Sequence, residues 1–548
     1  MSLQPQPAYV IPDETRRVAH AAFPKGALCL RLVEALGQLY LDEQFAALFP
    51  TRGQPAASPA RLALALVLQY VEGLSDRQAA DAVRGRIDWK YALGLELTDP
   101  GFDHTVLSEF RARLVTKDAE RLLLDTLLER LRTLGLLKQR GKQRTDSTYV
   151  LAAVRRLNRL ERVGETMRAA LNELAVVAPE WLRKLAPPEW YERYAKRVEN
   201  YALPKSDAAR QELASVIAAD GEQLLGAIDA ATDQPMLAQV AAVLTLRRLW
   251  DEQYTGIPGN LRWREIKEMP SPAGLLSSPY DTEARYSTKR DLNWVGYKVH
   301  LTETCDESTP HLIVNVETTP ATTPDDNMLE KVHDSLKPRD LLPAEHLVDK
   351  GYTDAHVLVD SQRQHGVTIV GPVAEDPSWQ ARGGGFDKGS FIVDWERHIV
   401  TCPAGKQSIS WLPNTYPQNG VAFEARFSRK DCGPCPNRVR CTKSKQEPRI
   451  IGLQARAHHE ALSAARQRQK TEEFRSQYAA RAGIEATHEQ AIRRCGMRRC
   501  RYIGQPKTRL QHVLTATAVN LVRLDDWWAE KPQAKTRCSH FAALAQAA

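Results

Sequence analysis

The sequence predicts a multidomain α/β protein, with a mixed-sheet core, a helical N-terminal domain, a helical insertion and a β-rich insertion. Three observations carry that prediction. At 548 residues the chain is too long for one ordinary hydrophobic core. Its apolar pattern changes period along the chain, from helical to alternating and back to helical. A glycine-rich, aromatic stretch from about 373 to 470 matches neither neighbour.

Taken in order, residues 1–140 read as helical. A helical apolar period runs from Leu62 to Val71 and ends at a Gly73-Leu74 turn. Ser75 then suits an N-cap, with Gln78 at the capping-box position. The following helix bears Arg77, Arg84 and Arg86. Helix, turn and Arg-bearing helix suit a helix-turn-helix with Arg77 on DNA, though packing or dimerisation gives the same pattern. Residues 154–284 read as a mostly helical insertion. Next, "NWVGYKVHLTE" alternates, with Tyr297, Val299 and Leu301 on one side and Lys298, His300 and Thr302 on the other. "HLIVNVETT" is a second strand, followed by a helix from about Asp325 to Leu336, a strand ending at Asp349, a helix to about Gln364 and the strand "VTIVGPV". Antiparallel strands followed by β-α-β units indicate a mixed sheet. Residues 373–470 form the β-rich insertion, helices resume at Lys470, and 526–548 read as a tail.

Composition narrows the class. With 43% apolar and 26% charged residues the chain is globular. No apolar run approaches the roughly 20 residues of a bilayer span. The start, "MSLQPQPAYVIPDETRR", lacks an apolar signal core, so a cytoplasmic protein without a membrane partner is expected. Nine cysteines in such a chain predict no disulfide framework. The net charge of +8 is mild, but its distribution is uneven. From Arg481 to Arg509 there are eight Lys or Arg against Glu485 and Glu489. Such a patch attracts a polyanion, most commonly nucleic acid; a solvated basic helix is the alternative.

Three carboxylates stand out for different local reasons. Asp146, in "KQRTDSTYVLA", sits in mid-strand against local preference, a conflict that tends to mark functional sites. Asp349 ends its strand before a Lys-Gly turn, which suits either a reactive group or a helix cap. Glu485 lies in "YAARAGIEATHEQ"; on one helix, Tyr478, Arg481 and Glu485 would span an arc of roughly 60°. Carboxylates converging from different elements fit two-metal phosphoryl chemistry with hard ions such as Mg²⁺.

The chain resembles the DDE transposases of bacterial insertion sequences, in the branch carrying a β insertion before its last catalytic Glu. The resemblance rests on "GLSDRQAADAVRGRIDWKYALGLEL" and "DPGFDHTVLSEFRARL" in the N-terminal region, and on "TDSTYV", "SPYDTEARYSTKRDLNWVGYKVHLTET" and "HLVDKGY" in the core. The family's Tyr-x2-Arg-x3-Glu-x6-Lys signature appears as Tyr478, Arg481 and Glu485; Ile492 occupies the Lys position, with Arg493 one residue later and about 80° around the helix from Glu485. The resemblance, not spacing, selects Asp146, Asp349 and Glu485 as catalytic ligands of two divalent ions, Mg²⁺ or Mn²⁺. It implies an RNase H-like core built from 141–153, 285–372 and 471–525. The implied reaction is hydrolytic cleavage at element ends, then attack of the freed 3′ hydroxyl on target DNA. Double-stranded DNA, as terminal inverted repeats and target, is the implied partner, bound by a homodimer at the nucleoid. Tyr478, Arg481 and Arg493 would contact its phosphates.

Four cysteines, Cys402, Cys432, Cys435 and Cys441, make a thiolate set for a structural zinc, or pack as reduced thiols. Trp379 opens the β-rich insertion and either stacks on a flipped base, as the resemblance implies, or packs in a core. Lys289 and Arg290 either touch phosphate or form a solvated turn, and His300 either faces the site or is an ordinary strand histidine. Two rival functions remain at this level: an RNase H-like nuclease without strand transfer, and a catalytically dead, zinc-dependent DNA-binding regulator.

Overall fold

A computed structural model describes residues 2–414 and 421–531. Numbered along the chain, β1 is Lys142–Leu151, and β2 (Tyr254–Ile257) and β3 (Asn260–Trp263) form a hairpin in the helical insertion. β4 (Arg285–Lys289), β5 (Leu292–Thr304), β6 (Ile313–Pro320), β7 (Glu345–Val348) and β8 (Thr368–Val370) complete a six-stranded mixed sheet with β1. β1 lies between β5, antiparallel, and β7, parallel; β8 extends the parallel side. The far edge of β5 carries β4 along its first half and β6 along its second.

The alternation expected in β5 is present, but both of its faces are covered. Tyr297, Val299 and Leu301 are buried, and so are His300 and Thr302 on the polar side. Helices and loops cover that second face, and the polar residues there are paired internally.

The N-terminal helices share one apolar core with the sheet and with the helix Gln505–Trp528. The helix Pro59–Glu72 is buried almost throughout, and Arg31 grips Asp525 through two hydrogen bonds of 2.6 and 2.9 Å. Gly73 closes that helix in the left-handed region (φ 70°), and Ser75 with Gln78 forms the capping box of Asp76–Gly85.

The helical insertion has its own core, built mainly on Arg159–Val177, Asp207–Ala230 and Ala241–Gln253. Gly221 lets Trp250 lie against the middle helix, because a Cβ there would overlap the indole. In the β-rich insertion, β9 (Ile392–Asp394) pairs with β10 (Ile399–Thr401), and β11 (Ser410–Pro413), β12 (Phe423–Arg426) and β13 (Ile450–Leu453) form a second small sheet. Its strands stop at Leu453, and Arg456–Arg468 is a helix.

Two boundaries differ from expectation. The helix expected from Asp325 begins at Leu329, because Asp325 is drawn to Lys298 and Ser147 beside β1. The expected tail from 526 opens as the last helical turn, to Trp528; residues 532–548 of it lie outside the described residues. No helix among the described residues is long and apolar enough to cross a membrane.

Candidate active site

Strand register brings the first two carboxylates together. Thr145 pairs with Val348 as the last pair of the parallel ladder, so Asp146 and Asp349 are the next residues along adjacent chain segments, Asp349 just past the end of β7. Asp349 caps the short turn Lys350–Tyr352: its Oδ1 accepts from the Gly351 N–H at 2.8 Å. The cap and the available carboxylate are thus the same residue, since Oδ2 faces the other way, toward Arg481.

Glu485 arrives on the first turn of the helix Gly483–Cys495, which packs on β1. The cation at the centre is Arg481. Its Nη2 lies 2.7 Å from Asp146 Oδ2 and 3.9 Å from Asp349 Oδ2, and its Nη1 lies 3.3 Å from Glu485 Oε1. Asp146 is nearly buried, whereas the Glu485 side chain is 71% exposed. Burial pushes the Asp146 carboxyl up to about 6, against the opposing pull of Arg481 and the Ser147 N–H. The three carboxylates surround one guanidinium without all closing to within 4.8 Å of one another.

Tyr478, Arg481 and Glu485 do not share one helix. Tyr478 is near the end of Glu472–Ala479, Arg481 sits in a 3₁₀ turn, and Glu485 opens the next helix. Arg144 explains the break: its guanidinium packs where a Cβ on Gly483 would stand, and its Nη1 donates to the Ala480 carbonyl. The Tyr478 ring stacks on Phe474 with centroids 5.5 Å apart and planes 8° from parallel.

A network absent from the sequence reading holds these pieces. Glu303 on β5 is fully buried; Oε1 accepts from Arg144 Nε at 2.6 Å, and Oε2 from Arg523 Nη1 at 2.6 Å and Thr487 Oγ1 at 2.7 Å. It ties the strand of Asp146 to the helix of Glu485. Asp325 is a fourth nearby carboxylate, held by Lys298 at 3.0 Å and by the Ser147 hydroxyl at 3.2 Å. His300 is buried and shares a 2.7 Å hydrogen bond with Tyr352; burial pushes its imidazole down to about 4, so it is neutral. The only sequence signal for Glu303 was an acidic residue at the end of an apolar strand.

The remaining candidates fall in varied settings. Lys289 acts electrostatically on Asp146 from the exposed β4–β5 turn, where Arg290 has φ 54°. Trp379 is half-buried, with Lys443 Nζ 5.2 Å over its ring. Arg77 is exposed without a protein partner among the described residues, whereas Arg84 pairs with Asp81, and Arg86 with Glu72 and Asp88. Arg493 pairs with Glu489. Part of the basic run also makes contacts within the protein: Arg494 and Arg501 donate to the carbonyls of Val71 and Leu74, and Arg498 stacks on Tyr149. A groove beside Lys350 is lined by five basic residues, Lys350, Arg382, Arg466, Lys470 and Arg475, and by the acidic Glu375 and Asp376.

Cys402, Cys432, Cys435 and Cys441 line one cavity in the β-rich insertion. Burial pushes the Cys441 thiol up, Arg449 opposes it, and the other three thiols add to it. Their sulfurs are not gathered to within 4.8 Å of one another.

Comparison with family models matches residues 17–113 to a transposase domain (DUF772) and residues 401–525 to the transposase DDE domain. The second match contains Glu485; Asp146 and Asp349 lie outside it. No curated protein and no solved structure matches the chain. The two matches flank a mixed α/β sheet in which one mid-strand, one strand-end and one helical carboxylate face a common cation, and together they support a DDE transposase of insertion sequences.

Proposed function

We propose that the chain binds the ends of its own element, cleaves DNA there and joins the 3′-OH ends to target DNA. One observation carries this reading: Asp146, Asp349 and Glu485, from three separate segments, all lie within 4 Å of the Arg481 guanidinium. The sheet order, with antiparallel β5 beside β1 and the parallel pair β7–β8 beyond, supports an RNase H-like catalytic core assembled from 141–153, 285–372 and 471–525. Residues 1–140 would read the inverted repeats, with Arg77 facing DNA.

The donor set suits two hard divalent cations, Mg²⁺ or Mn²⁺, since three carboxylates already gather around a positive charge. Asp146, Asp349 and Glu485 would hold them, and the ions would polarise the attacking oxygen and stabilise the leaving one. The protein's own part is placement. Register sets Asp146 against Asp349, Glu303 sets the Glu485 helix against β1, and Asp349's cap fixes its carboxylate. Arg481 and Tyr478 would meet the phosphate backbone, as would Lys289, Arg290 and Arg493, and the basic groove would continue the path. Trp379 would stack on an extruded base. Cys402, Cys432, Cys435 and Cys441 would hold a structural zinc, a fit supported by their shared cavity. The active form would be a homodimer on DNA at the bacterial nucleoid, in the cytoplasm.

The test is strand transfer. Protein, Mg²⁺ and a DNA end carrying the element's repeat are incubated with supercoiled target. Joined products support the transposase reading, and nicks alone favour the nuclease. Asp146→Asn should lower cleavage at least 100-fold while end binding persists; cleavage unchanged in that variant would leave the regulator.

A further inference from the structure

We propose a separate transition-metal site on the outside of the core, formed by His356, Asp360 and His458, that pins the exit helix of the β-rich insertion to the catalytic sheet. His356 and Asp360 are one turn apart on the helix Ala355–His365, so they share a face. His458 comes from Arg456–Arg468, which packs against that helix. The two imidazoles lie with ring centroids 4.2 Å apart and planes at 44°. One ligand atom from each of the three residues falls within 4.8 Å of the others, the one such grouping of His, Cys, Asp or Glu among the described residues.

The chemistry of the set selects the ion. Two imidazoles and one carboxylate suit a borderline divalent cation such as Zn²⁺, Co²⁺ or Ni²⁺, not the Mg²⁺ expected at the oxygen-only site. Ligands about 2.1 Å from a tetrahedral ion stand roughly 3.4 Å apart, so the side chains need only small rotations to close. They are free to do so: among the described residues, Asp360 has no ion pair, and neither histidine side chain has a hydrogen bond. His356 is exposed, and the other two are half-exposed, which leaves the remaining coordination positions to water. Consecutive segments join the site to the active site: Arg456–Arg468 leads through Glu472–Ala479 to Arg481 and Glu485.

The test uses the full chain saturated with zinc and then dialysed. Zinc content is measured in the parent, in His356→Asn, in His458→Ala and in Cys435→Ser. The proposal expects each histidine variant to hold one equivalent less than the parent, with Cys435→Ser leaving that equivalent in place. After exchange of both proteins into Co²⁺, the difference spectrum of parent minus His458→Ala should show a d–d band without thiolate charge transfer. Zinc should also raise the Tm of the parent more than that of either histidine variant, while all melt alike in chelator. Equal zinc content in parent and both histidine variants overturns the site, as does a Co²⁺ spectrum indifferent to His458.

Discussion

The Arg481 guanidinium stands 2.7 Å from the Asp146 carboxylate, on a residue 335 positions away, and occupies the charge position that a cation bound there would require. A divalent ion held there, as proposed, would therefore compete with Arg481 for the same oxygens. Arg481→Gln should lower the Tm of the metal-free protein, since three carboxylates lose their shared counter-charge. Added Mg²⁺ should then raise the Tm of Arg481→Gln by more than it raises that of the parent. Thermal melts with and without Mg²⁺ decide it: an equal or smaller increment in the variant means that the two cations do not compete.

Glu303 should matter to the fold out of proportion to its distance from substrate. It is the buried anion for both Arg144 and Arg523. Glu303→Gln leaves two largely buried guanidiniums without a counter-charge, which should destabilise the protein by about 3–5 kcal/mol in chemical denaturation. A loss under about 1 kcal/mol would show that water compensates the pair.

Acid should unfold this protein earlier than its carboxylates alone predict. Burial pushes His300 and His488 down to about 4, His333 and His512 down to about 3, and His346 far down. An unfolded histidine takes up its proton near 6.5, so these sites stabilise the fold fully above that pH. That stability is lost progressively as pH falls from about 6.5 toward 4, with a limiting slope of about 1.4 kcal/mol per pH unit for each histidine. Urea titrations at pH 7, 6 and 5 would measure it. His512→Gln should flatten the profile; a parent profile that is level from 7 to 5 contradicts the argument.

Arg77 and Arg86, nine residues apart on one motif, should separate binding from stability. Arg77→Ala should weaken DNA binding and reduce the salt slope by about one, with Tm unchanged. Arg86→Ala, which breaks pairs to Glu72 and Asp88, should lower Tm and leave that slope alone. Anisotropy titrations across salt concentrations, run beside thermal melts, distinguish the two; the reverse pattern would remove Arg77 from the interface.

What was legible in the sequence was local. The Ser75–Gln78 capping box, the Gly73 turn and the alternation in β5 follow from neighbours a few residues away, and so did the expectation of a cap at Asp349. The single helix expected for Tyr478, Arg481 and Glu485 is instead two helices joined by a 3₁₀ turn, where Arg144, from another segment, packs against Gly483, although Arg481 and Glu485 still meet. The basic run was legible as charge density along the chain, but not which of its side chains also contact carbonyls and rings, as Arg494, Arg498 and Arg501 do.

By itself, then, the sequence determined the periods, the caps and the placing of acidic residues at strand and helix ends, because each depends on backbone geometry over a turn or two. Only the tertiary structure decided which groups meet: Arg144 with the Glu303 carboxylate across 159 positions, and with the Ala480 carbonyl across 336. Such pairings depend on how layers pack and which groups lose water, and neither leaves a periodic trace in the chain.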